Sequence, residues 1–374
     1  MSLSFQNIEN IPEDDWDGLV RRSPDGWVFG LHGWQRLVTA VEEWGFSERG
    51  FGIFESERLV AVVPLHVQLS NRLAASTSWG GAGPILRRGL SSEDRERILN
   101  AATTEMIEIA KDVDATRLEV SSSPVTETAI NNNWGVNPFA LLGFDDQSLI
   151  SKVVFLGQEE ELLWAGLSKT ARNLIRRSIN AGFRVKKVDW PTSLDAYYDV
   201  HIETYRRTGV APHPRSYFSG IADRLGGIGA STLFALLTPG GEPIAFQNVA
   251  KLGIGAYYHT GCSRTALQAI SPGYHLMWEA IKAAKADGAV WFDIGWIFPA
   301  SKDPKQKGLT HFKTRFGGEA HPAFRAKLDL AAEHPIATPR SAAAEPHQSN
   351  APSFGVAGRL ARRARRLLAS RAAP

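Results

Sequence analysis

Gly255-Ala-Tyr-Tyr-His-Thr-Gly-Cys262, Ser271-Pro-Gly273, Trp291-Phe-Asp-Ile-Gly-Trp296 and Gly308-Leu-Thr-His-Phe-Lys-Thr-Arg-Phe-Gly-Gly318 follow one another in a single stretch, and their order decides the fold. The first reads as a strand. Ser271-Pro-Gly273 opens a helix over Pro272 to Ala286, because proline is preorganised for a first helical turn. A short apolar run from Ala289 to Ile294 is a second strand, and the last piece is a basic aromatic loop. The unit is therefore strand, helix and crossover strand, followed by a loop rich in Phe, Lys and Arg.

Upstream of it, a helical stretch from Ser193 to Arg207 precedes two strands, Thr232 to Leu237 and Pro243 to Val249, joined by a Pro-Gly-Gly turn. The first half repeats this layout. A helical stretch from Gly33 to Glu43 precedes the hairpin strands Gly50 to Phe54 and Leu59 to Leu65, then a helix from Ser92 to Lys111 and a strand from Thr116 to Val120. The repeat is one of pattern, since the residues barely match. Asn131-Asn-Asn133 and the stretch from Gly135 to Pro138 interrupt regular structure, and Ser151 to Leu156 starts a new strand. These signals predict an α/β (α+β mixed) protein with domains at 1–150 and 151–330, each a mixed, mostly antiparallel sheet flanked by helices.

Of the 374 residues 43% are hydrophobic and 22% charged, which suits two domains with proper cores and excludes a disordered or fibrous chain. The single cysteine, Cys262, excludes a disulfide framework and a cysteine-rich metal site, so a cytoplasmic setting is expected. No secretory leader is visible in the first ten residues, and no run has the roughly 18 apolar residues of a membrane-spanning helix. The formal charge of +3 comes from the segment 331–374, which carries seven arginines against Glu333 and Glu345. The remainder is mildly acidic, which argues against an extended nucleic-acid surface. That segment, rich in Ala, Pro and Arg, is expected to be disordered and to end in a short basic helix from Gly358 to Arg371. The helix is either a peripheral contact to anionic lipid or a solvated tail.

The stretch resembles the C-terminal half of the FemAB-like branch of the GNAT acyltransferase superfamily, which includes the peptidoglycan bridge aminoacyltransferases. The residues that carry the likeness are Tyr258, Ser263, Pro272, Glu279, Gly288, Phe292-Asp-Ile-Gly295, Gly308-Leu309, Phe312-Lys313 and Phe316-Gly317. Leu167-Ser168 through Arg172, Arg176 and Gly182 is similar to a further segment of that family, with Asn180 before the expected small residue. The resemblance implies two tandem GNAT-like domains and covers about 150–325 well, the first half only by layout. It departs from the family at Trp296, where a second glycine is usual. A long antiparallel helical arm, found in some members, is not apparent between 150 and 232.

Direct acyl transfer to an amine needs oriented reactants, removal of a proton from nitrogen and stabilisation of an oxyanion. No Gly-x-Ser-x-Gly, His-Glu-x-x-His, Walker loop or paired cysteine offers another chemistry, and no metal ligands are expected. Lys313, between Phe312 and Phe316, could bind a phosphate or the oxyanion, or be a surface lysine of a hairpin. Asp293, at the end of a buried strand, could act as base or orient the amine, or cap the next turn. Tyr258 and His259 alternate, so only one of them can face the cleft. Lys169, Arg172 and Arg176 recur on one helical face over a buried side of Leu174, Ile175 and Ile179, able to grip phosphate or form a solvated basic face. Trp296 would shape the acceptor side.

Arg224-Leu-Gly-Gly-Ile-Gly229-Ala230 fits the coenzyme A loop pattern of ordinary GNAT enzymes, but it follows a helix and leads into a strand, so it reads as a helix stop. Between Cys262 and Pro272, where that loop belongs, no glycine-rich cradle is present. The resemblance implies that the chain transfers an acyl or aminoacyl group to an amine of a cell-envelope precursor, a peptidoglycan peptide or an exopolysaccharide sugar. It would have no bound cofactor and a donor that is either aminoacyl-tRNA or acyl-CoA. Coenzyme A-dependent N-acetyl transfer to a small molecule and a non-catalytic role in envelope assembly are the alternatives.

Overall fold

The computed structural model describes residues 2–76 and 81–331, without the side chains of 267–269; the expected basic helix at 358–371 lies outside these residues. Seven strands form the central sheet, in the order Arg184–Val188, Ser231–Leu237, Pro243–Leu252, Gly255–Ser263, Trp291–Ile297, Leu149–Phe155 and Glu319–Ala323. Every neighbouring pair is antiparallel except Gly255–Ser263 with Trp291–Ile297, which is parallel. A parallel pair cannot be closed by a tight turn, and helix Pro272–Ala286 makes the crossover.

Strand alternation sends successive side chains to opposite faces. Phe234, Leu236, Ile244, Phe292 and Ile294 pack beneath helices Lys169–Asn180 and Pro272–Ala286. Leu233, Ala235, Phe246 and Trp291 face the other way, against helix Trp190–Thr208 and Trp27, Phe29 and Trp34 of the first half. The 19-residue helix Trp190–Thr208 lies on the sheet through Trp190, Leu194, Tyr197, Val200 and His201.

The first half holds a four-stranded sheet, Leu3–Asn7, Phe51–Glu55, Arg58–Val63 and Ile85–Leu86, and a six-stranded sheet. The order in the latter is Ser47–Glu48, His66–Gln68, Leu73–Ala75, Arg117–Ser121, Arg325–Asp329 and Asp145–Asp146. Leu73–Ala75 and Arg117–Ser121 are parallel, with helix Ser92–Asp112 lying between them in the chain. Each half thus contains one parallel pair joined through a helix, which is the structural content of the layout repeat.

The halves are interlocked. Arg325–Asp329 pairs with Arg117–Ser121 and Asp145–Asp146 in the first half's sheet. Leu149–Phe155, which starts just ahead of the division expected at 150, pairs wholly within the central sheet.

Two expectations are corrected. Gly308–Gly318 is not a loop: helix Pro304–Lys313 runs into a 3₁₀ turn at Thr314–Phe316. Asp303 caps that helix by accepting from the Gln306 N–H at 2.7 Å, and Pro304 occupies its first position. Gly308 masked the helical spacing of Leu309, Phe312 and Phe316. On helix Lys169–Asn180 the buried residues are Ala171, Ile175 and Ser178, while Ile179 is exposed, because the helix turns its narrow small-residue face to the core.

The turn after the 3₁₀ segment requires glycine twice, at φ +74° for Gly317 and +72° for Gly318, and a Cβ at Gly318 would collide with the Val153 backbone oxygen. Gly318→Ala is expected to cost about 3 kcal/mol, seen as a fall of roughly 6 °C in the thermal midpoint. An unchanged midpoint would show that the turn relaxes freely.

Candidate active site

Gly255–Ser263 and Trp291–Ile297 pair only over Gly255–Tyr257 and Trp291–Asp293. Beyond that point each strand keeps only its outer neighbour, Pro243–Leu252 on one side and Leu149–Phe155 on the other. The parallel pair therefore splays into a V with Tyr257 and Asp293 at its apex, and unpaired strand edges line the opening. Buried backbone polar groups demand partners, so an open V inside a sheet is suited to receiving a polar ligand.

Asp293 is 3% exposed. Its Oδ1 accepts from the Ser151 hydroxyl on the adjacent strand and from the Gly295 N–H, the latter at 2.7 Å. Oδ2 accepts no hydrogen bond from the described residues, and Asp293 lines a small cavity of about 40 Å³. Burial raises the carboxyl pKa to about 6, opposed by the Ser151 and Gly295 donors and by the Lys313 charge.

Lys313, the last residue of helix Pro304–Lys313, donates from Nζ to the Trp296 carbonyl at 3.0 Å. A Cβ on Gly295 would lie 2.8 Å from that nitrogen, so the absence of a side chain at Gly295, with φ +92°, is what lets the lysine reach this place. Burial lowers the ammonium pKa to about 8, opposed by the nearby Asp293 charge. The carboxylate of Asp293 and the ammonium of Lys313, whose Nζ stands beside Gly295, thus lie close enough for each charge to act on the other. Each is pushed toward neutrality, and each moderates the other.

The remaining walls come from both halves. Trp27 and Phe29 face Tyr257, with ring centroids 6.5 and 6.0 Å apart. Ser121 to Pro124 and Phe324-Arg325 close the other side. Arg325 lies 5.2 Å over the Trp296 ring and 3.6 Å from Glu119. The indole at the position where glycine was expected is therefore held under a guanidinium.

The other predicted residues divide between cleft and core. Phe312 and Phe316 pack with Tyr274 at 5.2 and 5.4 Å, and the Phe312 ring lies against Gly273 in the first turn of the crossover helix. Tyr258 turns to that same face, 6.5 Å from Phe312, while Asp293 is on the opposite face with Tyr257. His259 shares the Tyr257 face, half-buried and with both ring nitrogens bonded. Its Nδ1 accepts from Asn248 at 3.2 Å, which leaves Nε2–H to donate to Tyr217 at 2.7 Å, and burial lowers its pKa to about 3. A neutral, doubly bonded imidazole is already satisfied.

Lys169 is exposed at the start of its helix. Arg172 donates to the Ala165 and Leu167 carbonyls, and Arg176 stacks on Trp164 at 5.3 Å; these two fasten the preceding turn. The Arg224 segment is a helix end leading into Ser231–Leu237, as its setting predicted, with Gly229 at φ +69°. Tyr257, Ser151, Arg325 and the serines at 121–123 escaped sequence reading. Only Tyr257 carried a signal, its position two residues before His259 on an alternating strand.

Residues 167–314 match the GNAT acetyltransferase domain family. No curated protein matches the sequence. Among solved structures, FemX is similar at 16% identity, over 87% of this chain and 97% of that one, with a TM-score of 0.66. The C-terminal domain of a putative lysylphosphatidylglycerol synthetase from Agrobacterium fabrum is similar at 15% identity, over 84% and 90%, with a TM-score of 0.52. Identities this low speak to fold. No helix among the described residues is long and apolar enough to cross a membrane.

Proposed function

We propose, from the premise that this chain is a GNAT-fold acyltransferase, that it transfers an aminoacyl group to a primary amine of a cell-envelope precursor at the Asp293–Lys313 cleft. The observation that carries this reading is a buried carboxylate, Asp293, whose Oδ2 accepts no hydrogen bond from the described residues, with the ammonium of Lys313 close enough to act on its charge where the parallel pair splays. Asp293 Oδ2 takes the proton from the attacking amine while Ser151 and Gly295 hold Oδ1 still. As the carbon–nitrogen bond forms, negative charge develops on the acyl oxygen, and Lys313 Nζ has unused donors to meet it. The bond to the leaving oxygen or sulfur then breaks, with no covalent enzyme intermediate.

Two features favour an aminoacyl ester as donor. A 3₁₀ turn, Thr265–Ile270, stands where a glycine-rich coenzyme loop would be, and the Phe312 ring packs against the start of the crossover helix. The serines at 121–123 and Arg325 offer hydroxyl and cationic contacts to a polar acceptor such as a peptide or sugar. The match to an acetyltransferase domain favours a second reading, coenzyme A-dependent transfer to a small amine.

Thermal shift with acetyl-CoA and with aminoacyl-tRNA, followed by product analysis on a UDP-linked peptide, distinguishes them. We expect stabilisation by aminoacyl-tRNA and amide formation on the peptide amine. Saturable stabilisation and turnover with acetyl-CoA alone would replace the first reading by the second.

A further inference from the structure

A second concavity lies on the first half, remote in sequence from Asp293 and Lys313 and sharing no lining residue with their cleft. Its volume is about 630 Å³, within the range of small-molecule sites. Helix Glu13–Arg22 and the face of the four-stranded sheet form its sides. The floor is Ile11, Leu19, Phe54 and Leu59. Gly52 lets the Ile11 and Leu59 side chains close over the sheet to make this floor, since they occupy the place a Cβ there would take.

Four arginines line this groove, and their partners differ. Arg21 is 3.7 Å from Asp17, and Arg88 is bound to Glu127 at 2.8 Å and to the Arg22 carbonyl at 2.9 Å. The guanidiniums of Arg22 and Arg87 have neither a carboxylate nor a hydrogen-bond partner among the described residues. Arg87 is half-buried, and its pKa is held below the usual value by burial and then by Arg58 and Arg22. Like charges gathered without counterions raise the free energy of the unliganded groove, and an anion relieves it. Asp15 and Glu57 also line the groove without pairing to these two arginines. That mixed rim suits one compact anion better than a polyanion.

We propose that this groove binds a lipid-like phosphate, its single phosphate head between Arg22 and Arg87 and its hydrocarbon tail on Ile11, Leu19, Phe54 and Leu59. Guanidinium forks match phosphate oxygens bidentately. A floor of aliphatic side chains and one phenyl ring gives a hydrocarbon tail its contacts.

The test is calorimetric titration of the full chain with monomeric dihexanoyl phosphatidic acid, against dihexanoyl phosphatidylcholine, UMP and inorganic phosphate. Phosphatidic acid is expected to bind saturably and to weaken with added salt. Arg87→Gln and, separately, Arg22→Gln should each weaken it roughly tenfold. Leu59→Ser should weaken it while leaving inorganic phosphate unchanged, and Lys313→Ala should leave it unaltered. The proposal is overturned by equal binding of phosphatidylcholine, by tighter binding of UMP, by insensitivity to both arginine variants, or by loss of binding in Lys313→Ala. Circular dichroism checks that each variant is folded.

Discussion

Lys313→Ala lowers kcat by about 10²- to 10³-fold, the range for loss of one donor to a developing oxyanion, while the protein stays folded. The lysine ends a capped helix and, among the described residues, its ammonium donates to the Trp296 carbonyl, so the helix does not depend on the side chain. Its charge must be present for the role, and burial places its pKa at about 8. The wild-type rate therefore falls as pH rises through that region, and the variant loses this alkaline limb. The stability sign is separate. A lysine whose folded pKa is lowered penalises the charged form, so its contribution to stability improves as pH rises from about 8 toward the unfolded value of 10.5. Lys313→Met, which keeps volume without charge, should lower kcat by the same factor as the alanine variant without lowering the thermal midpoint. Stopped-flow or single-turnover rates from pH 5 to 10 decide the matter, and a variant with full kcat and an intact alkaline limb would remove Lys313 from the chemistry.

Asp293→Asn is expected to reduce kcat/KM by about 10²- to 10⁴-fold and to erase the acid limb. Asparagine keeps an oxygen that can accept from Ser151 and Gly295, so the local geometry survives. With the wild-type carboxyl near 6 and the ammonium near 8, the parent profile is a bell between those values. A raised carboxyl pKa means that the neutral form is favoured by the fold. Its stabilising contribution is complete below the unfolded value of 3.8 and disappears as pH rises through about 6. At pH 7.5 the asparagine variant should therefore be at least as stable as the parent by urea unfolding. A large loss of stability at that pH would mean that Asp293 serves the sheet rather than the substrate.

Periodicity and punctuation made the elements legible. Pro272 and Pro304 both open helices, yet only the first was readable, because Gly308 interrupts the second and its aromatic residues resembled a loop. Asp293 and Lys313 were legible through their settings in a strand end and an aromatic cluster. The meeting of the two was not, because it depends on a missing Cβ at Gly295 and on where two parallel strands part. Alternation could say that Tyr258 and His259 face opposite ways, but not that Tyr257 reaches the apex while both His259 nitrogens are taken up by Tyr217 and Asn248. Arg325 and the serines at 121–123 could not be found at all, since about two hundred residues separate them before the last strand brings them together.

That last strand has a consequence for biosynthesis. Arg325–Asp329 occupies the slot between Arg117–Ser121 and Asp145–Asp146, so the first half emerges from the ribosome with an open ladder and waits some two hundred residues for its missing rung. During that interval its exposed backbone edge is a template for another nascent chain. A polypeptide ending at Phe324 would keep every residue of the Asp293–Lys313 pair and still leave this edge bare; we expect it to aggregate in co-translational assays where the full chain does not. The sheet of the first half is thereby completed only once the second half has been made.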